Sequence, residues 1–149
     1  MSLDVDVATN GERLPVSRSR VVEIAQSVLR GERVRHALVS ITMLDRRAMA
    51  RLNAKHLGHR GPTDVISFGF TRATPNDPVV GDIYICPSVG RANAAARREP
   101  VRRELVRLVV HGILHILGHD HPESSAREQS PMWRRQERLV DRLSTGNGR

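Results

Sequence analysis

The chain has little of what builds a disulfide-stapled, membrane-bound or aromatic-rich protein. Its single cysteine, Cys86, excludes an internal disulfide, and a reducing compartment is the expectation. No stretch approaches the ~20 apolar residues of a membrane-spanning helix. Met1 to Pro15 contains no apolar run of the secretory kind, so a cytoplasmic protein with no membrane anchor is expected. Aromatic residues amount to 3%, with one tryptophan and one tyrosine, which leaves few rings for stacking on nucleic-acid bases. Lys55 is the only lysine, so the cationic charge is almost all arginine.

What is present is a strong positive balance. The net charge is +8 and the sequence pI about 11.3. Arginine stays charged and grips phosphate with two parallel hydrogen bonds. The balance therefore fits a nucleic-acid partner. The 149 residues suit one domain, residues 1–149, able to bury a core without a structural metal. There is no internal repeat and no low-complexity block.

Hydrophobic periodicity gives the elements. Leu3, Val5 and Val7 alternate with Asp4 and Asp6 as a strand. Ser17 or Ser19 caps a helix bearing Val21, Val22, Ile24, Ala25, Val28 and Leu29, ended by Gly31. Ala37 to Leu44 reads as a second strand, and Asp45 as the cap of a helix through Met49 and Leu52. Gly58, Gly61 and Pro62 mark a loop. Strands are expected over Asp64–Phe70 and Val80–Cys86. Ser88 is read as the cap of an alanine-rich helix reaching Arg98. Pro100 opens a helix to about Leu117 that Gly118 stops, and Ser130–Pro131 opens a last helix. Ser144–Arg149 reads as a flexible tail. The sum is an α+β domain: a small mixed β-sheet of about four strands packed with four to five helices, carrying a zincin-like three-histidine metal site.

That site is the segment His111-Gly-Ile-Leu-His115-Ile-Leu-Gly118-His-Asp-His121. His111 and His115 are four apart on a helix, so their rings share one face. Gly118 lets the chain turn and bring His121 back as a third ligand. Three imidazoles leave a tetrahedral zinc with one open position, and water there is acidified toward a pKa of ~7. Nickel and copper also suit such a site. The spacing equals the metzincin metalloprotease pattern except that Gly112 stands where the protease keeps its glutamate base. The pattern therefore predicts a hydrolase other than a conventional protease. His119 competes with His121 as third ligand, while His36, His56 and His59 read as surface residues. A closed structural zinc site, with Cys86 as fourth ligand, is the rival reading. Glu104, seven residues before His111, is either a partner to a histidine ring or an acid favoured by the helix dipole. Asp120 either orients a ring or caps the turn.

The histidine segment resembles the YbeY family of bacterial single-domain, metal-dependent endoribonucleases. A second matching stretch runs from Leu52-Asn53 through Arg60-Gly-Pro-Thr-Asp64-Val-Ile-Ser-Phe68, and Gly81-Asp82-Ile83 is a third. Order and spacing agree over roughly residues 37 to 140. His119 stands where the family commonly has tyrosine, and Arg107 where it often has histidine. The resemblance implies a zinc-dependent, single-strand-specific endoribonuclease acting in 16S rRNA 3′-end maturation and ribosome quality control. Its partners would be ribosomal RNA of the small subunit and ribosome-assembly proteins. The resemblance also singles out Arg60 as a catalytic and substrate-binding residue, with His111, His115 and His121 as the metal ligands. A guanidinium beside a metal clamps phosphate and stabilises charge growing on its oxygens. Asp64 is expected to hold the loop that carries Arg60 through an Asx-type hydrogen bond.

Two arginine groups remain. Arg97, Arg98, Arg102, Arg103 and Arg107 precede the metal helix, and Arg134, Arg135, Arg138 and Arg142 lie on the last one. Each either tracks an RNA backbone or forms a solvated helix face. Two other functions stay open: a metallopeptidase-like hydrolase whose base lies elsewhere, and a non-catalytic, metal-stabilised ribosome assembly factor.

Overall fold

A computed structural model describes residues 1–121 and 125–144. The elements are β1 (Ser2–Ala8), α1 (Arg18–Gly31), β2 (His36–Met43), α2 (Arg46–Leu57), β3 (Val65–Phe70), β4 (Val79–Ile85), α3 (Pro87–Arg97), α4 (Val101–Ile116), a short 3₁₀ turn (Ser125–Gln129) and α5 (Pro131–Ser144). The sheet is mixed and four-stranded, as expected, with order β1-β2-β4-β3. β1, β2 and β4 run parallel and β3 pairs antiparallel with β4. Of the tail expected over Ser144–Arg149, Ser144 is the last residue of α5 and the rest lies outside the described residues.

Alternation along the strands decides the layers. Ala37, Val39, Ile41 and Met43 of β2 are buried on one face, together with Val79, Ile83 and Ile85 of β4. α1 covers that face with Val21, Ile24, Ala25, Val28 and Leu29, and α4 covers it with Val106, Val109, Val110, Ile113 and Leu114. A smaller cluster joins Met49 of α2 to Ile66 and Cys86, with Leu52, Phe68 and Tyr84 packed around it. Ser17 caps α1, its Oγ accepting from the backbone N–H of Arg20 at 3.0 Å, and Asp45 caps α2 in the same way at 2.8 Å from Ala48. Ser88 does not cap α3. That helix starts two residues earlier because Pro87, with its φ already helical, takes the first position after Cys86. The Ser88 Oγ accepts instead from Arg46 Nε at 2.6 Å.

α4 is buried on nearly all sides, from Glu104 to Leu114. A helix so enclosed needs a sheet that lets its backbone come close, and glycines provide the room. A Cβ at Gly112 would lie 2.8 Å from Cγ2 of Ile83, and one at Gly81 would lie 2.5 Å from Cδ1 of Ile116. Position 112, where the protease pattern has its glutamate, thus faces the sheet. No side chain could enter there without moving Ile83, which has no solvent exposure. Among the described residues no helix is long and apolar enough to cross a membrane.

Overpacking at this contact should outweigh the gain in helix propensity from replacing glycine. Gly112→Ala is expected to lower the melting temperature by about 2–8 °C. An unchanged or raised melting temperature by calorimetry would contradict the close approach of α4 to β4.

Candidate metal centre

α4 presents His111 and His115 one turn apart, and the chain then turns at Gly118, whose φ is +97°. The turn returns His121 to the same place. Ring centroids lie 4.5 Å apart for His111 and His115, 5.1 Å for His111 and His121, and 4.9 Å for His115 and His121. One nitrogen from each ring falls within 4.8 Å of the other two. The three side chains are half-buried, and a single ion can draw them together. The donor set fits a divalent transition metal with an open position, since among the described residues this group contains no fourth protein ligand.

The surroundings keep the donors in their ligand form. Burial lowers the pKa of His111 to about 4, with the neighbouring His115, His121 and Arg127 acting in the same direction and Gln136 opposing them. Burial and the charge of His121 lower that of His115 as well. Both rings are therefore neutral at pH 7, with lone pairs to offer.

The second partner of His111 is one the sequence did not reveal. Gln136 of α5, almost fully buried, places Oε1 2.6 Å from His111 Nδ1. Its Nε2 donates to Glu137 Oε2 at 3.0 Å, which fixes the orientation of the amide. Oε1 must then accept, so the His111 proton sits on Nδ1 and Nε2 is left for the ion. Glu137 is in turn gripped by Arg107, whose Nε and Nη2 donate to its two oxygens at 2.9 Å each. Burial alone would raise the Glu137 pKa, but Arg107 and Gln136 more than offset it and hold the carboxyl below its ordinary value.

Glu104, expected as a possible ring partner, serves Arg107 instead. Its Oε1 accepts from Arg107 Nη1 at 2.6 Å, and Oε2 accepts from Asn93 at 3.2 Å. The sevenfold spacing to His111 is real, but the buried guanidinium lies nearer and claims the carboxylate. His119 is no ligand either: its Nε2 lies 2.9 Å from Glu32 Oε1, and Arg135 holds the other oxygen of Glu32. Asp120 accepts from the backbone N–H of His121 at 2.8 Å and so shapes the turn. Asp64 holds its neighbourhood without an Asx turn: its carboxylate accepts from Asn93 and its carbonyl from Cys86 N–H, both at 2.9 Å. Cys86 is buried in the smaller core cluster, away from the three histidines.

A groove of about 610 Å³ opens over the site, lined by His111, His115, His121, Asn53, His59, Asp64, Ser67, Asp120 and Arg127 among others. His59, read as a mere surface residue, is exposed yet belongs to this lining. Arg60 is also exposed and follows His59 directly, but is not itself part of the lining. The loop that carries it is anchored by Asn53, whose Nδ2 donates to Gly61 O at 2.8 Å. Several members of the two arginine groups are engaged within the molecule. Arg103 bonds to Glu99 at 2.6 Å and Asp141 at 2.5 Å, and Arg107, Arg134 and Arg135 are likewise engaged. The arginine that does reach the groove, Arg127, comes from the 3₁₀ turn that periodicity did not reveal.

Residues 6–144 match the family model described as Endoribonuclease YbeY. A protein named Endoribonuclease YbeY from Kineococcus radiotolerans is 37% identical over 94% of this chain and 85% of its own length. One of the same name from Frankia alni is 35% identical over 91% and 80%. A solution structure of a Thermotoga maritima protein superposes with a TM-score of 0.63 at 23% identity, covering 97% of this chain and 94% of that one, which shows a shared fold.

Gln136→Leu keeps the shape of a buried side chain and removes the acceptor from His111. It is expected to weaken metal binding by about 10–100-fold in a chelator competition titration. Unchanged affinity would mean that the His111 tautomer is not set from α5.

Proposed function

The chain belongs to the YbeY family, and from that premise we propose that it is a zinc-dependent endoribonuclease of single-stranded RNA. The observation that carries the reading is the cluster of three histidines in an open groove that Arg127 lines and the Arg60 loop borders. When bound, the ion supplies positive charge to a phosphate oxygen and acidity to a nearby water. The protein's own part begins with holding that ion: His111, His115 and His121 donate, and Gln136 keeps His111 in the donating tautomer. Arg60 and Arg127 are the guanidinium groups available to clamp the scissile phosphate and to neutralise charge growing on its oxygens. The groove of about 610 Å³ has room for a short piece of an extended strand.

Ribosomal RNA of the small subunit is the proposed substrate, with 16S 3′-end maturation and ribosome quality control as the setting and the cytoplasm as the location. Family membership and a net charge of +8 support this reading. The metallopeptidase alternative is weakened by Gly112, whose place against Ile83 leaves no room for a base. The assembly-factor alternative differs by predicting binding without turnover.

Cleavage of a single-stranded RNA by the zinc-loaded protein tests the proposal. His115→Ala should abolish it, and Arg60→Ala should lower it by about 10²-fold while metal content stays unchanged. RNA bound but never cut by the loaded wild-type protein would favour the assembly factor. Cleavage untouched by His115→Ala would remove the chemistry from the metal centre.

A further inference from the structure

Behind His111 lies a second cavity that the metal chemistry does not use. It measures about 220 Å³, and Trp133, Arg97, Glu128 and Gln136 contribute to its walls. His111, Asp64, Val65 and Arg127 line both this cavity and the groove, so the two spaces adjoin at a metal ligand.

The placement of Trp133 is unusual for this chain. It is the only tryptophan, on a helix whose Met132, Leu139 and Val140 are buried in the core. Trp133 is only partly buried and faces the cavity instead. The guanidinium carbon of Arg97 sits 5.4 Å from the ring centroid. Its charged contacts, to Glu104 and to Glu128, are 3.8 Å each, too long for hydrogen bonds. The side chain of Arg97 is 36% exposed. Arg97 is thus held on the ring by charge and stacking, and another flat group can displace it.

An aromatic ring with a loosely held planar cation over it suits a flat heteroaromatic ligand. The volume is below the ~300–1,000 Å³ of sites for drug-sized molecules, so it suits one ring system rather than a whole nucleotide. Asp64, whose carboxylate already accepts from Asn93, and Glu128 both line the cavity, and a carboxylate there can accept from an amino group. We propose that this cavity is a nucleobase subsite. One base flanking the phosphate at the three histidines unstacks from the strand and lies on Trp133. Guanine, adenine and cytosine, which carry exocyclic amines, are preferred over uracil. The identification of the strand as RNA rests on the nuclease reading, whereas occupation of the pocket by a base needs neither metal nor cleavage.

Because Trp133 is the sole tryptophan, its fluorescence reports on this pocket alone. The full chain, stripped of metal by a chelator, is titrated with GMP and, as a control without a base, with ribose 5-phosphate. Saturable quenching by GMP and none by the control is expected. In RNA cleavage by the loaded protein, Trp133→Leu should reduce kcat/KM about tenfold, with the loss falling on KM, and Trp133→Phe should recover most of it. No quenching by GMP, AMP or CMP, with KM unmoved in the leucine or the phenylalanine variant, would overturn the subsite and leave the nuclease standing. Quenching by GMP in a protein that cuts no RNA would support the subsite and reject the nuclease.

Discussion

The close packing of α4 on the sheet is the constraint from which the rest follows. Gly112 lies against Ile83, and Ile116 lies over Gly81 and against Gly69, so the last turns of the helix sit lower on the strands than any larger residue would permit. Interiors are packed too densely for such a contact to slide. The helix end is therefore fixed, and with it the positions of His111 and His115. Gly118, two residues past that end, turns the chain so that His121 closes the triangle. The glycine that removes a protease's base is the same glycine that seats the ligand helix.

A second layer of order comes from charge. Arg107, 4% exposed, is ringed by Glu99, Glu104 and Glu137, and Arg103 extends the set to Asp141. Burial disfavours the arginine's charge, but the surrounding carboxylates raise its pKa far above the ordinary value. Such clusters contribute little net stability, since desolvation offsets much of the attraction. Their value lies in geometry. Arg107 holds Glu137, Glu137 holds the amide of Gln136, and Gln136 sets the proton on His111. A residue deep between α4 and α5 thereby reaches the metal centre without touching it.

The sequence made the elements and the ligands legible for identifiable reasons. Strand alternation and capping residues at Ser17, Asp45 and Ser130 are local signals, and local signals survive folding. The histidine spacing is local too, one helical turn followed by a glycine stop. What was hidden depended on residues far apart in the chain. Gln136 is 25 residues from His111, and Glu32 is 87 from His119. Nothing in the composition tells a solvated arginine from one locked to a distant carboxylate, so Arg103, Arg107 and Arg135 resembled an RNA-binding surface. The cap of α3 was misplaced for a smaller reason: Pro87 outcompetes Ser88 for the helix start.

Packing, rather than the ion, builds the metal site. Hydrogen exchange of the metal-free protein tests it most directly. The backbone amides from Val110 to Ile116 are expected to exchange only through global unfolding, as slowly as those of the central strands β2 and β4. Rapid exchange across that segment in the metal-free protein, with protection appearing only after zinc is added, would show that the ion organises the helix end and would contradict the account.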